Sequence, residues 1–265
     1  MRCEEMIEVL EELAARSMAC SWDNPGLLVG WKEKEVKKVY LALDATDQVI
    51  EDAVREGADL LLTHHPMIFK PLKRIDGGDF IGRRVIKLIQ NGICCYAMHT
   101  NYDSAPGCMA DLAASKIGLT DSRILETEGE KDGVPYGIGK VGILTAAPTL
   151  RELAERVKAV FGLPFVTVYG DLGSVRKLRV CAVSPGSGGS MIGAALRWEA
   201  DVLVTGDIGH HDGIDSVARQ MAVIDAGHYG LEHIFMEHME SYLKSRLGEQ
   251  VQVVRAPVVF PATVL

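Results

Sequence analysis

No apolar run in this chain reaches the roughly 18 residues that a membrane-spanning helix requires. The amino terminus, Met1-Arg2-Cys3-Glu4-Glu5, lacks the apolar stretch of a secretory leader, so a cytoplasmic protein is expected. Basic residues are the minority, 28 against 36 acidic, for a net charge of −8. Backbone binding to nucleic acid rests on clustered Lys and Arg, and this balance speaks against it. None of the six cysteines forms a C-x-x-C pair, and Cys94-Cys95 lies in an apolar run. They read as reduced core thiols rather than a disulfide framework or a nucleophile. A serine triad has no G-x-S-x-G elbow to support it. Aromatics are only 6% while apolar residues reach 48%, which suits an α/β protein built from Ala, Val, Leu and Ile better than a sandwich.

What is present alternates. Helical periods at residues 4–17, 46–56, 81–90 and 107–117 separate short apolar runs at 27–30, 36–43, 58–63 and 93–98. The style repeats beyond the polar stretch Glu126–Gly133. Strands are expected at 141–144, 165–169, 178–183, 202–205, 222–225 and 251–254. Helices are expected at 149–161, 191–198, 213–220 and 232–247. Such alternation implies βαβ units. The expected fold is two similar, interlocked α/β halves with mainly parallel sheets, divided as 1–125 and 126–265.

Ligand-type side chains gather where strands end. Thr63-His64-His65-Pro66 closes the run Ala58–Leu62. Adjacent side chains on an extended chain point to opposite faces, so two buried histidines make poor packing unless the strand stops there. Open α/β sheets bind ligands at that carboxyl edge. A second segment, His99-Thr100-Asn101-Tyr102-Asp103, follows 93–98. A third, Asp225-Ala226-Gly227-His228-Tyr229-Gly230-Leu231-Glu232, follows 222–225. His228 and Glu232 share a helix face at their four-residue spacing. Imidazole and carboxylate together suit Zn, Fe, Mn or Ni. Three histidines and two carboxylates exceed one tetrahedral zinc with an open position and fit two metals about 3.5–4 Å apart. His210-His211 is a weaker pair. The Gly/Ser turn 184–190, before an expected helix, is a candidate anion cradle. It lacks the Lys-Ser/Thr ending of a P-loop. His233 and His238 read as surface residues of the long helix.

In these motifs the chain resembles the Nif-three-like dinuclear-metal family, many of whose members are labelled GTP cyclohydrolase 1 type 2 homologs. The resemblance rests on Trp22-Asp23-Asn24-Pro25-Gly26-Leu27 with Val29-Gly30, on Thr63–Pro66, and on His99–Asp103. It continues through Tyr136–Gly142, residues 184–190, Thr205-Gly206-Asp207 and Asp225–Glu232. It implies a toroidal homohexamer with two divalent metals per subunit, held by His64, His65, Asp103, His228 and Glu232. His99 would stand nearby as a candidate acid or base. With only Glu126–Gly133 between the halves, the chain resembles the short form without an inserted middle domain. Ser21 and Lys140 stand where many members carry an acidic residue and an Arg.

The leading functional expectation is a metal-dependent hydrolase acting on a small molecule. Ring opening of GTP is the candidate reaction that the family label implies. A metal-binding or delivery scaffold without turnover is the alternative, and a nucleotide phosphoesterase the second.

Overall fold

The computed structural model describes residues 1–264. Among the described residues eleven strands run in chain order: β1 (Gly26–Val29), β2 (Lys38–Ala42), β3 (Leu60–Thr63), β4 (Cys94–Ala97), β5 (Leu119–Lys131), β6 (Val134–Leu144), β7 (Thr167–Tyr169), β8 (Val180–Ser187), β9 (Val202–Gly206), β10 (Ala222–Asp225) and β11 (Gln252–Arg255). They form two sheets. The chain divides into two compact units, one of Met1–Tyr102 with Phe235–Val258, the other of Asp103–Ile234 with the tail from Val259.

The first unit holds the sheet ordered β1-β4-β3-β2-β11. Its β4/β3, β3/β2 and β2/β11 pairings are parallel, and only β1 runs antiparallel. Every residue of β3 and β4 is buried. That is why Leu60-Leu61-Leu62 is a continuous apolar run rather than an alternation. The helices Cys3–Leu13, Asp47–Arg55 and Phe80–Gln90 bury stripes such as Met6/Leu10, Ile50/Ala53 and Val85/Leu88. Two of these helices have capped starts. Thr46 Oγ1 accepts from Val49 N at 3.2 Å and Asp79 Oδ2 from Gly82 N at 3.0 Å, each worth about 1 kcal/mol.

The second unit holds the sheet ordered β5-β6-β8-β9-β10-β7. Parallel pairing is confined to β8/β9 and β9/β10, with antiparallel strands outside them. Leu125, Val141, Ala182, Leu203 and Val223 lie in its apolar core.

Three expectations change. The division does not fall at 125/126, because β11 pairs with β2 and completes the first sheet. The polar stretch 126–133 is no boundary. It belongs to the long hairpin of β5 and β6, turned by Asp132-Gly133 at φ 53° and 78°. Two positive φ values make the turn whose twist matches a hairpin. Strand β8 runs through the expected Gly/Ser turn as far as Ser187. The helix after it, Ile192–Arg197, is only six residues long.

Candidate metal centre

In the first unit the histidine pair sits just past the end of β3, where the chain stops alternating. His65 N still bonds Leu43 O at 3.0 Å, and Thr63 Oγ1 donates to His65 O at 2.8 Å. The two rings stand 4.9 Å apart. His99, just past β4, joins them: one ligand atom each from His64, His65 and His99 lie within 4.8 Å of one another. His64 is fully buried, its ring 5.3 Å from Phe235.

Each ring is held by Nδ1. In His64 it donates to Met98 O at 2.7 Å, in His65 to Asp44 Oδ1 at 2.7 Å, and in His99 to Asp23 Oδ1 at 2.8 Å. A neutral imidazole that donates through Nδ1 carries its lone pair on Nε2, so these partners select the tautomer that a metal takes. Asp23 also accepts from Thr100 N at 3.0 Å and Thr100 Oγ1 at 2.5 Å. Burial works to raise its pKa, but the bonds from His99 and Thr100 outweigh that and hold it at about 2.

In the second unit His228 and Glu232 open and close the short helix His228–Glu232. Nε2 of His228 lies 3.0 Å from Oε2 of Glu232, which is buried. His228 Nδ1 lies 2.7 Å from Asp207 Oδ2. Asp103 stands on the short helix Thr100–Ser104 and opens the second unit's share of the chain.

The two units repeat one construction. Asp44 follows β2 and its partner His65 follows β3; Asp207 follows β9 and its partner His228 follows β10. Both strand pairs are parallel and each is joined through a helix. Aspartate and histidine are 21 residues apart in both, and both contacts measure 2.7 Å. Anchored imidazoles with nearby carboxylates are a donor set that could hold a divalent metal ion.

A family model described as Duf34/NIF3 (NGG1p interacting factor 3) matches residues 1–259. The chain belongs to the DUF34/NIF3 family. A Clostridium perfringens relative named GTP cyclohydrolase 1 type 2 homolog is 33% identical over 254 residues, covering 96% of this chain and 95% of that protein. Among solved structures, a Bacillus cereus protein related to NIF3 superposes with a TM-score of 0.90 at 23% identity, covering 100% of this chain and 99% of the other. At that identity the likeness shows the fold alone. Reduced HcgD from Methanocaldococcus jannaschii gives a TM-score of 0.83 at 30% identity, covering 98% of each chain.

Several residues of this DUF34/NIF3 member stand differently from their expected roles. Gly186 of the Gly/Ser segment, at φ 79°, leaves room for Glu232: a Cβ there would lie 2.5 Å from its Oε1. A Cβ at Gly188 would collide with Thr205 Oγ1. The segment therefore serves as close packing around Glu232 and Thr205. His210 and His211 are exposed on the first turn of the helix His210–Ala218. His238 is half-buried and bonded to Tyr102 Oη at 2.6 Å, and His233 stacks on Tyr229 at 9°. Burial pushes the Cys95 thiol up to about 12, in keeping with an inert core thiol. The anchoring of His99, His65 and His228 by Asp23, Asp44 and Asp207 is what sequence reasoning missed. Among the described residues no helix is long and apolar enough to cross a membrane.

Proposed function

We propose that this protein is a hydrolase working with two divalent cations, held by His64, His65, Asp103, His228 and Glu232, on a small molecule of nucleotide type. The observation that carries this reading is the anchoring of His64, His65, His99 and His228 through Nδ1, three of them by a carboxylate. A carboxylate or carbonyl behind Nδ1 is the usual support of an imidazole that ligates metal through Nε2. The family resemblance supports this ligand set. Two such cations, when bound, would acidify a water toward a pKa of about 7 and stabilise developing negative charge.

The chain's own contribution is orientation and proton handling. Asp44 and Asp207 fix the planes of His65 and His228. His99, oriented by Asp23, is the group we assign to move a proton at Nε2. A buried carboxylate behind an imidazole stabilises the imidazolium that forms on proton uptake. Ring opening of GTP is the candidate reaction, taken from the name that relatives carry. The toroidal homohexamer is part of the same proposal and is checked by light scattering.

The test combines elemental analysis with a turnover assay on GTP. We expect about two equivalents of metal per chain, fewer in His65→Ala and Glu232→Gln, and turnover lost with the metal. Equal turnover by wild type and His65→Ala would overturn the hydrolase. Metal bound at full stoichiometry with no product from GTP or other nucleotides would favour a metal carrier.

A further inference from the structure

Next to His99 two large aromatic side chains face solvent. Trp22 is 61% exposed and Phe69 45%. Their rings stand 6.0 Å apart at 56°. Both rings also stand edge-on to His99, Trp22 at 6.2 Å and 75°, Phe69 at 6.3 Å and 80°. Exposing a Trp and a Phe together costs apolar hydration, and a patch of this kind beside polar groups marks a contact site.

Both residues sit on restrained backbone. Trp22 precedes Asp23, whose carboxylate is bonded to His99, Thr100 and Asn24 N. Asn24 Nδ2 in turn donates to Ile68 O at 2.7 Å, tying the Trp22 turn to the residue before Phe69. Phe69 lies in a segment, 64–79, that contains neither helix nor strand. Irregular segments longer than about 12–15 residues are uncommon in compact domains and are either binding loops or linkers; the tie from Asn24 to Ile68 O marks this one as held in place. Directly after Phe69 come Lys70, Lys73 and Arg74, all exposed. The acids of the same segment are engaged locally, Asp76 with Gly78 N at 2.8 Å and Asp79 with Gly82 N at 3.0 Å. In a chain of net charge −8, three exposed cations within five residues of Phe69 are a local excess of positive charge.

We propose that Trp22 and Phe69 form a stacking platform for the planar heteroaromatic ring of a ligand whose phosphate is taken by Lys70, Lys73 and Arg74. The platform rests on the functional reading above, because it names the ligand class of that site. The surface favours a small ligand over a protein partner. Its centre is a polar, carboxylate-held imidazole, whereas the core of a protein interface is apolar and depleted in charge. Aromatic side chains accept any base by its π-face, so the platform selects for a ring with a phosphate and not for one particular base.

The test is calorimetric titration of the chelator-stripped full chain with guanosine monophosphate and with ribose 5-phosphate, which keeps the phosphate and lacks the ring. Guanosine monophosphate is expected to bind wild type about tenfold more tightly than Trp22→Ala, with Trp22→Phe close to wild type. Ribose 5-phosphate should bind wild type and Trp22→Ala alike. Replacing Lys70, Lys73 and Arg74 by Ser should weaken both probes. Equal guanosine monophosphate affinity in wild type and Trp22→Ala would overturn the proposal, as would no binding by wild type. A loss of oligomeric mass in Trp22→Ala with ring binding unchanged would assign the patch to contact between copies instead. Because the titration is done without metal, the two readings fail separately. Trp22-dependent binding in a chain that takes up no metal leaves the platform standing. Two bound metals with Trp22-independent binding leave the metal reading standing.

Discussion

Asp207 holds Nδ1 of His228 at 2.7 Å from a left-handed backbone, φ 55°. Left-handed residues other than glycine are uncommon, and such strain gathers at functional sites. Asp44 makes the same 2.7 Å contact with His65 in the other unit.

Removing either carboxylate is expected to loosen metal without unfolding the chain. Asp44→Ala and Asp207→Ala should each weaken metal binding by roughly 10–100-fold, the usual cost of losing a group that orients a histidine ligand. Competition with a chelating dye reads this directly. Unchanged affinity in both variants would mean that the rings are not ligands.

Gly186→Ala forces a side chain into a left-handed position and against Glu232 Oε1. The variant should lose about 1–3 kcal/mol in denaturant unfolding and bind less metal. A variant as stable as wild type, with its full metal content, would show that Glu232 moves aside at no cost.

Asp23 links the first unit to pH. Its folded pKa, about 2, lies below the unfolded carboxylate value near 3.8. The unfolded chain therefore takes up the proton first as pH falls. The stabilisation is complete above about pH 4 and is lost as pH drops toward 2, amounting to roughly 2 kcal/mol. Asp23→Asn should be less stable at neutral pH and flatter across that window. Parallel wild-type and variant curves between pH 4 and 2 would refute the assignment.

His238 acts in the same direction at higher pH. Burial lowers its pKa from 6.5, so the unfolded chain again binds the proton first. Stability present above about pH 6.5 should decline as pH falls below it. The Tyr102 Oη bond to His238 Nδ1 favours this neutral ring. Thermal melts of wild type and His238→Gln between pH 7 and 5 check this, the variant losing the slope.

The core strands and the strand-end histidines were legible because each breaks or obeys a local rule. Leu60-Leu61-Leu62 obeys the pattern of a buried parallel strand, and His64-His65 breaks the alternation that a strand would impose. The hairpin was not read, although Asp132-Gly133 is a strong turn signal. Most residues of β5 are exposed or half-exposed, so no alternation of apolar residues flanks that turn. The anchoring aspartates were hidden for a different reason. Asp44 and Asp207 lie 21 residues from their histidines and Asp23 lies 76 from His99, distances at which only the sheet order creates neighbours. The platform residue Trp22 stands in a motif of the family resemblance, and nothing local in the sequence marks it as exposed.

The pairing of β11 with β2 has a consequence for synthesis. Val253 lies opposite Val39, so β2 emerges from the ribosome long before the strand that covers its edge. At about 5–20 residues per second, that edge waits roughly 10–40 s with its backbone groups open to pairing by another chain. Until β11 arrives, the flank of β2 is the surface of the nascent chain most open to mispairing.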